Sequence, residues 1–176
     1  MATDADAEHA WLADALDRYE GPLLRYAASL VGRAAAPDVV QDTFLALCRA
    51  GRERLEGGLA AWLFTVCRNR ALDCVREGRR LQPLEHDELR SADSEPEHRM
   101  ESQQSIAAVE ALLVTLSDKQ RQAVLLKFSG GLSYKEIAEV MALSVSHVGV
   151  LLHTAIGRLR ARLVEPAGVL SLEGEP

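Results

Sequence analysis

The stretch QPLEHDELRSADSEPEHRMESQQS, residues 82–105, does most to limit what this chain can fold into. It has no apolar period, carries seven acidic residues against two basic ones, and contains Pro83 and Pro96. Such a segment buries too little apolar surface to offset the entropy of ordering it, so it reads as a flexible acidic linker. It divides the 176 residues into two small units, 8–81 and 106–164, followed by a tail at 165–176. Hydrophobic residues make up 48% of the chain, enough for a core, while aromatics are only 5%. Ala and Leu dominate, both are strong helix formers, and no hairpin signal stands out. The expectation is an all-α protein, two small helical domains joined by the linker.

Several function classes fall away at this level. No apolar run approaches the ~20 residues of a membrane span. The acidic N-terminus does not resemble a secretory signal, so the expected location is cytoplasmic, without membrane insertion. Cys48, Cys67 and Cys74 lack C-x-x-C spacing and read as small core residues rather than disulfide partners. His9, His86, His98, His147 and His153 form no metal-ligand motif. There is no nucleophile with a matching base and no phosphate-cradling loop. No metal, cofactor or catalytic group is therefore expected, and the chain does not read as an enzyme. The net charge of −6 is unevenly spread, and only 106–164 is basic overall, with seven basic residues against four acidic. That is weak for a stand-alone nucleic-acid binder. Any DNA binding would need help from a partner.

The C-terminal unit has the clearest local grammar. Ser117 and Gln120 in LSDKQRQAVLLKF form an S-x-x-Q capping box, and Gly130 and Gly131 close the helix. Ser133 and Glu136 in LSYKEIAEVMA form a second box, S-x-x-E. After the turn ALS, Ser144 can cap a longer third helix. Helix, tight turn and longer helix is the helix-turn-helix layout; an αα packing unit without DNA is the other reading. At 100° per residue, Val145, Val148, Leu151, Leu152, Ala155, Ile156, Leu159 and Leu163 share a core face of the third helix. The opposite arc carries Ser146, His147, Val150, Thr154, Gly157 and Ala161, small and nearly uncharged. No basic residue lies between Lys135 and Arg158.

Two helices are legible in the N-terminal unit. In AWLFTVCRNRALDCVREGRR, 61–80, one broad apolar side holds Trp62, Leu63, Val66, Cys67, Ala71, Cys74 and Val75, with Arg70 intruding. The other side holds Arg68, Asn69, Leu72, Asp73, Arg76 and Arg79. Arg for phosphates, Asn for a base edge and an aromatic for stacking is the chemistry that unpaired DNA needs. A solvated helix face is the plainer alternative. In PDVVQDTFLALCRA, 37–50, Pro37 suits a first turn, and Val40, Phe44 and Leu47 face inward. Asp38, Gln41, Asp42, Leu45 and Arg49 face outward. An exposed Leu among carboxylates is either accidental or a docking face for a basic partner helix.

Together these pieces resemble the extracytoplasmic-function (ECF) sigma factors of bacterial RNA polymerase, over roughly 18–164. DVVQDTFLALCR looks like the family's helix that grips the polymerase clamp, AWLFTVCRNRALDCVRE like its minus-10 region, and 116–163 like its minus-35 helix-turn-helix. The resemblance implies a protein that catalyses nothing itself. It binds core RNA polymerase and directs promoter-specific initiation. Asp38, Gln41, Asp42, Leu45 and Arg49 would contact core polymerase. Trp62, Arg68, Asn69, Asp73, Arg76 and Arg79 would hold the melted non-template strand at minus 10. Lys119, Arg121, Lys135, Ser144, Ser146, His147, Gly149 and Val150 would meet duplex promoter DNA at minus 35. An anti-sigma protein is a further expected partner.

The third helix departs from the family, whose members commonly carry Lys or Arg near the positions of Gly149, Leu151, Thr154 and Gly157. Three explanations stand. The helix reads DNA with its first turn, Ser144, Ser146 and His147, while Gly149 and Val150 allow close approach and contact with a thymine methyl. Alternatively, the apolar strip binds an anti-sigma or the tail EPAGVLSLEGEP. Or minus-35 recognition is weak and tethering to polymerase compensates. A free-standing helix-turn-helix regulator is the alternative to the whole reading.

Overall fold

The computed structural model describes residues 4–51, 55, 58–81 and 111–164, and these are almost entirely helical. The linker and tail lie outside the described residues. Helix α1 spans Asp4–Val31, α2 Ala36–Ala50 and α3 Leu59–Leu81. In the second half, residues 111–114 are helical, and α4 Asp118–Phe128, α5 Tyr134–Met141 and α6 Val145–Val164 follow.

Helix α1 takes in the acidic residues 4–20, a stretch in which no helix was expected. Its inner side runs Trp11, Ala15, Tyr19, Leu23, Tyr26 and Ala27, recurring at steps of three and four. Gly32 ends it at φ 81, its N–H bonding Ala28 O at 3.0 Å, the left-handed cap that glycine adopts without penalty. Helix α2 begins with Pro37 in its first turn and buries Val39, Val40, Thr43 and Leu47. The Thr43 hydroxyl donates to Val39 O at 2.8 Å, so no polar group is stranded there. Helices α1, α2 and α3 pack on one another around Phe64, whose ring meets Tyr26 edge-on at 5.4 Å and 82°.

The second half is built by its caps. Ser117 Oγ accepts from Gln120 N at 3.4 Å while Gln120 Oε1 accepts from Ser117 N at 3.2 Å. Ser133 and Glu136 repeat the exchange at 3.3 and 2.7 Å. The bonds that Ser133 offers hold the Glu136 carboxyl below its ordinary range, with a smaller pull from Lys127. The turn after α5 is tight because Ala142 takes the left-handed conformation, φ 54 and ψ 49, and Leu143 N reaches Ala138 O at 2.9 Å. Ser144 Oγ then accepts from His147 N at 3.2 Å and starts α6.

The halves are not separate bodies. Helix α1 packs on α4 and α3 on α5, and the buried residues of both halves form one continuous cluster. The contact point is Gly130. A Cβ there would lie 2.7 Å from Phe64 Cε2 and 2.8 Å from both Leu126 O and Leu132 Cδ1. Phe64, Leu126, Leu132 and Ile137 are all essentially inaccessible.

Three expectations need correction. Only Cys67 is a core cysteine; Cys48 and Cys74 are exposed. Burial pushes the Cys67 thiol up to about 12, against a weaker pull from Thr43. Val145, placed on the core arc of α6, is 49% exposed, because the first turn of that helix projects beyond the surface it packs on. Arg70, which spacing puts on the apolar arc of α3 and which is expected to snorkel or to pair with a carboxylate, is exposed, so that arc is not apolar at this position.

Two backbone positions should respond in opposite directions. Gly130→Ala forces a methyl against backbone and a buried ring, and the melting temperature should fall by several degrees. Ala142→Gly relieves the left-handed alanine and should add about 1 kcal/mol. Thermal unfolding of both variants beside the parent checks the pair.

Candidate interaction surfaces

The outward face of α2 assembles as the sequence indicated. Asp38, Gln41, Asp42, Leu45 and Arg49 are all exposed, Leu45 at 45%. The structure adds a neighbour that the sequence reading missed. Leu16, Glu20 and Leu24 of α1 join Val40, Gln41, Phe44 and Leu45 around an open, mainly apolar groove of about 360 Å³. Leu16 is itself 44% exposed. An apolar floor beside Glu20, Asp38 and Asp42 fits a helix with an apolar stripe and basic flanks. The signal was the periodicity of α1, visible only once the acidic residues of its first turns are read as its solvent side.

On α3, Trp62, Asn69 and Arg76 recur every seven residues, so Trp62, assigned by the sequence to the apolar side, lies at the edge of that side next to Asn69 and Arg76. Trp62 is half-buried, whereas Asn69, Asp73 and Arg76 are exposed. Arg76 Nη1 bonds Asp73 Oδ1 at 3.0 Å, with the two side chains 73% and 58% exposed. An exposed pair of this kind contributes well under about 1 kcal/mol, so a phosphate can displace the carboxylate at little cost. Arg68 does not join them. It is half-buried, and its Nε, like the Tyr26 hydroxyl, is buried without a hydrogen-bond partner. Burial raises the Tyr26 pKa, and the adjacent Arg68 charge only partly opposes that. Arg68 thus follows the Phe64 side of α3, toward the junction of the halves. The Arg79 side chain lies outside the described residues.

In the helix-turn-helix, Lys135, Ser144, Ser146, His147 and Val150 are exposed on α5 and the first turns of α6, whereas Lys119 is exposed at the start of α4, next to Gln120, which Arg158 in the later turns of α6 bonds. Val150 is 63% exposed. Gly149 is half-buried, and a Cβ on it would come within 4.0 Å of the Tyr134 ring. Arg121 is half-buried and bonds Asp118 at 3.2 Å. Two further cations are engaged in holding the fold. Lys127 Nζ donates to Leu132 O at 3.2 Å and sits 5.6 Å from the Tyr134 ring centre. Arg158 Nη1 donates to Gln120 Oε1 at 3.1 Å, which ties α6 to the capping box of α4. What remains at the front of α6 is a helix N-terminus, whose free N–H groups and dipole favour an anion, with exposed Lys135 on the preceding helix.

No single helix among the described residues is long and apolar enough to cross a membrane. With these surfaces in place, comparison with known proteins is informative. Residues 15–81 match the Sigma-70 region 2 family, and residues 106–159 match Sigma-70, region 4. The ECF RNA polymerase sigma factor BldN of Streptomyces coelicolor is 34% identical over 84% of this chain, which spans 58% of BldN. The chain likewise spans 52% and 58% of two further ECF sigma factors. EcfG of Rhodopseudomonas palustris is 32% identical over 81% of this chain and 80% of its own length. Among solved structures, the sigma factor RpoE of Bartonella quintana, in complex with the anti-sigma factor NepR, aligns over 88% of this chain and 98% of that one, at 26% identity and a TM-score of 0.61. Region 2 on α1–α3 and region 4 on α4–α6, in that order on an all-helical chain, place the protein in a definite group: it belongs to the ECF sigma factors of RNA polymerase.

Proposed function

We propose that this protein binds core RNA polymerase and directs promoter-specific initiation, with the polymerase supplying all of the chemistry. The observation that carries the reading is the match to regions 2 and 4 on one chain, each half keeping its outward face free. A free-standing regulator would use α4–α6 and leave region 2 without a role. The protein acts in the cytoplasm, where the polymerase is.

The work is divided by surface. The α1–α2 groove, with Gln41 and Leu45 on its wall and Asp38, Asp42 and Arg49 beside it, docks a helical element of the polymerase clamp. Asn69, Arg76 and Trp62, with Asp73 as the exchangeable partner of Arg76, hold an unpaired minus-10 base and its phosphates. Strand opening is driven by preferential binding of the melted form, so it needs no nucleotide hydrolysis. Arg68 and Arg79 extend this face when it is engaged. Ser144, Ser146, His147, Gly149 and Val150 present the start of α6 to the minus-35 major groove, with Lys119, Arg121 and Lys135 toward phosphates. An anti-sigma protein is a further partner, supported by the complex in which the B. quintana relative was solved.

This reading has a geometric consequence. The two promoter elements lie about 25 base pairs apart, roughly 85 Å along the duplex. Helix α1, the longest element, reaches only about 42 Å. Since α1 packs on α4 and α3 on α5, we infer that reaching both elements requires the halves to part at Phe64 and Gly130 during holoenzyme assembly. The residues between them, 82–105, serve as the tether.

Run-off transcription with purified core polymerase on host DNA, with mapped 5′ ends, tests the function. Discrete starts sharing two upstream motifs are expected; no starts and no core binding would refute it. Leu45→Asp should weaken core binding at least about tenfold, or ~1.4 kcal/mol. Asn69→Ala with Arg76→Ala should cut open-complex formation by about tenfold or more while core affinity stays within about twofold.

A further inference from the structure

The outward strip of α6 has a composition that its fold does not explain. Val148, Leu152 and Ala155 are buried, and Val150 points directly away from them. Ser146, Val150, His153, Thr154 and Gly157 share this side, and all are exposed. A β-branched residue in mid-helix lowers helix propensity, and at 63% exposure Val150 gains no packing in return. Thr154 is β-branched as well. Its hydroxyl donates to Val150 O at 2.8 Å, so the only hydrogen it could offer a base is tied back to its own helix. What Thr154 turns outward is a methyl group and an acceptor oxygen. No cation lies between Lys135 and Arg158, and Arg158 is held by Gln120. Beyond its first turn, the His153 imidazole is what this strip offers to guanine or a phosphate, while Val150 and Thr154 present apolar groups.

One feature in the major groove matches such a surface, the C5 methyl of thymine. We propose that Val150 and Thr154 form an apolar reader of thymine methyls, and that they set the specificity of this protein for the upstream promoter element. This rests on α6 lying in the minus-35 groove. Ser146 and His147 supply polar contacts at the helix start, and Lys119 and Lys135 hold the backbone. Val150 and Thr154, four residues apart, meet thymines on neighbouring steps. Specificity then comes from methyl burial, and the salt dependence of region 4 binding comes from the cations outside this strip, Lys119, Arg121 and Lys135.

Replacing thymine by uracil removes that methyl and nothing else. Holoenzyme reconstituted with core polymerase would be assayed for open-complex formation on its own promoter, with uracil placed singly at each thymine of the upstream element. The parent protein should lose about three- to fivefold at one or two positions, the loss expected for one buried methyl. In Val150→Ala, the step nearest Val150 should become insensitive to uracil, while salt dependence stays unchanged and the melting temperature does not fall. Uracil without effect, on a promoter that scrambling of the upstream element still disables, would overturn the inference and leave the minus-35 reading intact. Full sensitivity retained in both Val150→Ala and Thr154→Ala would also overturn it. Indifference to scrambling would reject the placement of α6 itself, and the inference with it.

Discussion

The structure depends on one close approach, that of the Phe64 ring to the backbone at Gly130. No other residue at 130 leaves room for that ring, because the carbonyl of Leu126 and the Leu132 side chain close the remaining sides. Through this contact, two helical units that are each too small to hide much apolar surface share a single core. Phe64 is fully buried and braced by Tyr26. Behind Phe64, burial of the Tyr26 hydroxyl is partly offset by the adjacent Arg68 charge.

The outward faces fit a molecule that works by tethering rather than by strong binding at any one site. The α2 groove offers apolar area without enclosure, the α3 strip keeps its arginine in a loose surface pair, and the front of α6 relies on a helix terminus and Lys135. None of these carries the charge density of an independent DNA binder. Once one surface is docked, the others act at high effective concentration, and weak contacts suffice. In the second half, Lys127 and Arg158 are engaged in internal hydrogen bonds rather than left on the surface.

Legibility in the sequence followed the range of the interactions. The capping boxes at Ser117 and Ser133 were readable because donor and acceptor are three residues apart, and the structure pairs them as expected. The exposed Leu45 was readable from helical periodicity. Helix α1 was obscured by its acidic first turns, which hide the spacing of Trp11, Ala15, Tyr19 and Leu23. Phe64 was assigned to neither face of its helix, because its decisive neighbour is a glycine in the other half of the chain. Arg68 was read as a DNA contact on the outer arc, and its half-burial beside Tyr26 of α1 is a tertiary neighbourhood that local periodicity does not register. Val145 erred the other way, since a helix can begin before the surface it packs on.

The central claim is that this packed form must open to do its work. Its most direct test is a distance, measured by fluorescence transfer between dyes at exposed Asp14 in α1 and exposed Ala161 in α6. The account predicts a short distance in the free protein and an increase of tens of ångströms in the promoter-bound holoenzyme. An unchanged distance in a complex that initiates transcription would contradict it.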